Sequence, residues 1–198
     1  MKIRTASVLA TLLSLSALPI AIHGAPKQWN VDKDHASVGF EINHFFTPVK
    51  GQFLEFGGAF TLDKDDLTKS PSVVFTVNVA SVATANKKRD GHLQSADFFN
   101  AKNWTELKFT SSEVVKTGDN SYKAVGTMQI RDVKKPFEVP FTLLGVQKVK
   151  AGLMSSEVMG IRVKTELNRN DFGVGTGSWA ANAVVGEKVG IDILLELK

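Results

Sequence analysis

Along most of the chain apolar and polar positions alternate with a period of two. Val38, Phe40 and Ile42 alternate with Gly39, Glu41 and Asn43, and Val73, Phe75, Val77 and Val79 with Val74, Thr76, Asn78 and Ala80. The same rhythm runs through residues 122–130, 137–143, 159–167 and 189–197, and more weakly through 52–62 and 107–116. One apolar face at period two is the signature of a half-buried antiparallel strand. Turn signals separate the runs: Gly57-Gly58, Ser70-Pro71, Gly118-Asp119-Asn120, Lys135-Pro136 and the glycine-rich stretch 173–177. A helical pattern is scarce. Residues 87–100 are the best candidate, with Leu93, Ala96 and Phe99 on one side, and short helical turns fit 63–69 and 180–187.

About eight one-faced strands and so little helix leave the apolar faces only one another to cover them. A sandwich does this, as does a barrel, and closure also removes exposed sheet edges. An eight-stranded barrel is filled by side chains or holds one small ligand. Ala124 and Gly126 are small residues in otherwise large apolar rows, which fits room for a ligand or a closely packed helix. An outer-membrane barrel would turn its apolar faces outward, and these strands are too short and too irregularly spaced for one.

Residues 1–24 break the rhythm. Lys2 and Arg4 precede a stretch from Ala6 to Ile22 without charge, Pro19 interrupts it, and Gly24 and Ala25 follow. This is the layout of a secretory signal peptide cut after Gly24. A membrane span needs about 20 apolar residues, more than this run supplies. The expected organisation is therefore a signal peptide over 1–24 and one β-barrel domain over 25–198, in the periplasm of a bacterium. Removing Lys2 and Arg4 lowers a formal charge that is only +4 in the full chain, too balanced for electrostatic reading of nucleic acid. The chain has no Cys, which excludes disulfides, thiolate metal sites and a cysteine nucleophile.

Candidate chemistry is thin. His35, His44 and His92 lack the helical i, i+4 spacing of a metalloprotease, and structural histidines are the simpler reading, so no metal is expected. There is no G-x-S-x-G elbow, no G-x-G-x-x-G opening a βαβ unit and no P-loop. Arg89 stands beside Asp90, and Arg169 lies two residues from Asp171. Each arginine either fixes its own loop through a local ion pair or meets the polar head of a ligand.

Several segments together resemble the YceI family of bacterial periplasmic proteins. They are Trp29, Asp32 and 35–44 followed by 49–53; 81–84 with Arg89-Asp90-Gly91-His92-Leu93 and Asp97-Phe98-Phe99; 107–111; 126–136; and 168–174. They occur in the family's order and span nearly all of the chain after the leader. Three departures fall in loops or turns: Ala36 replaces Ser or Thr, Thr105 replaces Pro, and Asp132 and Lys134 replace Gly and Thr. The resemblance implies an all-β, eight-stranded antiparallel lipocalin-like barrel with a short helix between strands. It implies a non-enzymatic carrier, without cofactor, for a polyisoprenoid of quinone or prenyl phosphate type or another long-chain amphiphile. Family members are often dimers, so a homodimer is expected. Phe40, Ile42, Phe75, Val77, Met128, Ile130, Phe141, Met159 and Ile161 are the expected lumen residues, with Phe98 and Phe99 capping one end. Arg89, His92 and Arg169 are the head-group candidates. Two alternatives stay open on the residues alone: a lipocalin-like isomerase or hydrolase using His44 or His92 as base, and an interaction protein whose barrel is filled.

Overall fold

The computed structural model describes residues 25–151, 154–179 and 184–198. The expected leader lies outside them, as does the first half of the helical turn expected at 180–187. Residues 185–187 belong instead to the last strand, which begins at Val185.

The alternating runs form one curled antiparallel sheet. Its strands are β1 (Lys27–Asn30), β2 (Ser37–His44), β3 (Thr47–Phe53), β4 (Phe56–Leu62), β5 (Ser72–Asn78), β6 (Val82–Ala83), β7 (Glu106–Lys116), β8 (Ser121–Ile130), β9 (Val133–Ala151), β10 (Met154–Asn168) and β11 (Val185–Leu197). Their spatial order is β1-β4-β5-β7-β8-β9-β10-β11-β2-β3-β6. The sheet closes where β1 returns to the end of β11. Val31 bridges Leu197, the Asn30 N–H donates to the Lys198 carbonyl at 2.7 Å, and the Lys198 N–H donates back at 2.9 Å.

The all-β expectation holds, with eleven strands among the described residues rather than eight. Two of the additional strands, β1 and β6, are too short to show a period. The third arises because the expected run 52–62 is two strands: Leu54 and Glu55 turn between them, their N–H groups held by the carbonyl and hydroxyl of Ser81 at 3.1 and 3.0 Å. Gly57-Gly58 is no turn but lies inside β4. A Cβ on Gly58 would sit 2.3 Å from the Val74 carbonyl oxygen, so glycine there lets β5 approach. Lys135-Pro136 is likewise inside β9. The hairpin turns four residues earlier, at Arg131-Asp132, with Ile130 paired to Val133 and Arg131 at φ +58°.

β9 pairs with β10 only from Phe141 onward, so its first half has an open edge. Pro136 and Pro140, which have no N–H to give, both lie in that half.

The helix expected at 87–100 is shorter. α1 spans Lys87–Gln94, its first turn capped by the Asn86 side chain accepting from the Arg89 N–H at 3.1 Å. It ends where the Ser95 hydroxyl and N–H both donate to the His92 carbonyl. Residues 63–69 form no helix. Asp63 and Asp66 instead accept N–H bonds from Asp65 and Thr68, folding two side-chain turns.

The inward rows meet in three layers. At the closed base Trp29, Leu62, Leu67, Met159 and Leu197 are almost wholly buried, and the Trp29 indole N–H donates to the Leu62 carbonyl at 3.1 Å. Above them lie two cavities, and α1 with its following loop lies over the second.

Candidate functional site

The lower cavity is the continuation of the strand rows. Its volume is about 110 Å³, and Phe75, Met128, Phe141, Ile161 and Ile193 are among its walls, Thr165 being the one polar residue that lines it. The upper cavity is larger, about 460 Å³, within the usual range for small-molecule sites. Phe40, Ile42, Ile130, Leu167 and Val189 line its apolar part. Ile191 lines both cavities, so the two lie next to each other with Ile191 in the wall between them.

Polar groups gather on the upper cavity's walls. They are Asn43 and His44 at the end of β2, Thr84 and Asn86 before α1, and Lys88, Arg89 and His92 on it. Thr84 is buried and organises this edge. Its N–H and hydroxyl both donate to Asp90 Oδ1, at 2.9 and 2.5 Å, while Arg89 Nε and Nη2 donate to its hydroxyl and carbonyl oxygens, each at 2.7 Å. Arg89 is thus held against the loop, and among the described residues its Nη1 has no hydrogen-bond acceptor. The expected Arg89–Asp90 ion pair is not found among the described residues; both side chains bond to Thr84 instead.

His92 stands edge-on to Phe98 and Trp179, with ring centroids 4.9 and 5.1 Å away, and its Nε2 lies 3.0 Å from Asp97 Oδ2. Phe98 and Phe99 line the same cavity, close to the cap expected of them. Val77 and Met159, expected in the lumen, line neither cavity and pack into core clusters instead.

Arg169 is the largest departure from the sequence reading. It lines the cavity but is 3% exposed, and Asp171 is not its partner. Its Nε donates to Gly186 O at 2.8 Å; Nη1 to Val174 O at 2.8 Å and to Gly175 O; Nη2 to Trp179 O at 2.6 Å and Val185 O at 3.1 Å. All five donors are used, so nothing remains for a ligand head group. Burial lowers the guanidinium pKa, and Glu187 opposes that. Gly175, at φ +64°, leaves the room: a Cβ there would lie 2.7 Å from Arg169 Nη1 and from the Phe98 ring. Sequence could not show that one side chain gathers a loop through five backbone carbonyls.

Away from the cavity, Asp32, His35 and Glu196 cluster on the outer surface near the base. Lys198 occupies this cluster, paired with Asp32 and, at 3.2 Å, with Glu196.

The YceI-like domain model matches residues 29–197. The chain belongs to the YceI family. A UPF0312 protein of Vibrio cholerae is 30% identical over 164 residues, covering 82% of this chain and 85% of that protein. One from Serratia proteamaculans is 34% identical over 151 residues, covering 75% and 76%. Among solved structures, BcnA of Burkholderia cenocepacia superposes with a TM-score of 0.74 at 25% identity, covering 84% of this chain and 98% of that one. A polyisoprenoid binding domain from Saccharophagus degradans, implicated in plant cell wall breakdown, superposes at 0.66 with 10% identity, covering 86% and 97%; at that identity it shares the YceI fold.

Proposed function

We propose that this YceI protein is a periplasmic carrier that holds a polyisoprenoid or similar long-chain amphiphile, tail inward, and performs no chemistry on it. The observation that carries this reading is the pair of adjacent cavities: a wide upper chamber with polar groups on its walls, and beyond Ile191 a narrow, almost wholly apolar one. A tail laid through them leaves water for apolar walls, and each buried CH₂ contributes about 0.8 kcal/mol. The head group then lies among Arg89 Nη1, Lys88, His92 and Asn86, a set rich in N–H donors that suits a prenyl phosphate or a quinone carbonyl. The wall carries more cations than carboxylates, which favours the phosphate. The binding domain of like fold from Saccharophagus degradans supports a polyisoprenoid as the tail.

The test is native mass spectrometry of protein purified from the periplasm of a producing cell, followed by solvent extraction and lipid mass analysis. A stoichiometric prenyl lipid is the expected result. An empty protein that also refuses added prenyl lipids would overturn the reading, as would recovery of the protein only in the cytoplasm.

A further inference from the structure

The β2–β3 turn is built against the usual rules of a soluble surface. His44 pairs with Thr47, leaving Phe45-Phe46 as a two-residue turn. Phe45 has φ +50°, at the turn position where glycine is the usual residue. Phe45 is 55% exposed and Phe46 is 98% exposed. Phe45 is fastened at its base: its N–H donates to the Val184 carbonyl at 2.8 Å and its ring stands edge-on to His44. Phe46 has no ring partner among the described residues. The fold therefore holds an aromatic tip rigidly in water, at an entropic and steric cost that internal packing does not offset.

The tip stands beside the upper cavity. Asn43, His44 and Val49, on either side of the turn, line that cavity. Lys88 lines it too, with Lys87 next to it at the start of α1, and neither lysine has a carboxylate partner among the described residues. Exposed aromatics flanked by unpaired lysines are the composition of a segment that sits at a lipid headgroup boundary.

We propose that the Phe45–Phe46 turn docks the protein on an anionic bilayer surface, with Lys87 and Lys88 facing the headgroups, so that the cavity meets the membrane and its occupant passes without crossing water. This rests on the lipid-carrier reading and deepens it. It commits to a membrane, not a second copy of the chain, because the charged side chains lining the cavity beside the tip, Lys88, Arg89 and Arg169, are all cationic.

The full-length sequence is expressed, protein is purified from the soluble fraction, and co-flotation with vesicles of phosphatidylglycerol and phosphatidylcholine is measured beside uptake of a fluorescent prenyl probe from detergent-free solution. Phe46→Ser is expected to lower vesicle partitioning roughly tenfold, the effect of removing one buried aromatic ring, and to leave probe uptake unchanged. Phe46→Trp should preserve partitioning. Lys87→Glu should weaken partitioning on the anionic vesicles and not on pure phosphatidylcholine. Equal flotation of wild type and Phe46→Ser would overturn the docking, as would absence of flotation with a wild-type dimer that Phe46→Ser dissociates. Loss of probe uptake in Phe46→Ser would also overturn it, by making the tip part of the cavity. A wild type that floats through Phe46 but takes up no prenyl probe would support docking and overturn the carrier reading.

Discussion

Arg169 shows how a single buried cation can organise a loop through backbone carbonyls. Five carbonyls from Val174, Gly175, Trp179, Val185 and Gly186 stand in for the counter-ion. Lysine offers three donors from one point and cannot span them. Arg169→Lys is therefore expected to destabilise the fold by about 3 kcal/mol or more, read from urea denaturation, because the orphaned carbonyls stay buried. The outer cluster near the base gives a second prediction at this scale. Hydrogen bonds from Lys198 and then His35 hold the Asp32 carboxyl well below the usual range, and Asp32 raises the His35 pKa above 6.5. A lowered carboxylate stabilises the fold above its unfolded value near 4 and loses that as pH falls. A raised histidine stabilises below its unfolded value and loses that as pH rises through the folded one. The cluster therefore contributes most between about pH 4 and 6.5. Asp32→Asn should flatten that maximum and return the His35 midpoint, followed by NMR titration, toward 6.5.

Among the elements, β4 carries the clearest test of why strands run where they do. Gly57 has open space where a Cβ would stand, whereas Gly58 faces the Val74 carbonyl at 2.3 Å. Gly57→Ala should be neutral or stabilise by up to about 1 kcal/mol. Gly58→Ala should cost about 1–3 kcal/mol by pushing β5 away; chemical denaturation of the two variants side by side separates them. The six strongly periodic runs were legible because each buries one face. The turns were less so, since glycine and proline mark both a chain reversal and a place where backbones crowd or an N–H has no partner. Gly58 and Pro136 are the second kind, and only the neighbouring strand distinguishes them. Arg131, with φ +58°, makes a turn that composition does not announce. Its side chain helps hold it, stacked 4.7 Å from the Trp104 ring and donating to the Phe98 and Gly173 carbonyls.

For the whole molecule, the two cavities make ligand length the variable that matters. Ile191→Trp places a larger ring in the wall that the two share. The variant is expected to keep a short-tailed prenyl probe and to lose affinity for a long-tailed one by about tenfold or more, measured by fluorescence titration with both, since several CH₂ groups are displaced. Much of this site was readable from parity together with the family resemblance: Phe40, Ile42 and Ile130 wall the upper chamber, and Phe75, Met128, Phe141 and Ile161 the lower. The polar groups were half readable. Arg89 and His92 are among them, and Lys88 stands beside them on α1, but Thr84, Asn86 and Trp179 join from segments whose paths no period describes. The Asn86 cap beside the Lys87-Lys88-Arg89 run was the available signal.

The seam between Asn30 and Lys198 sets an order of events. β11 pairs with β10 on one side and with β2 on the other, so the last strand is the keystone between the chain's beginning and everything after it. Contacts this distant in sequence are slow to form and are made late. A chain emerging N-terminus first, from a ribosome or through a membrane pore, cannot seal its barrel before its final residues arrive. The cavity can come into existence only once β11 has joined β10 and β2.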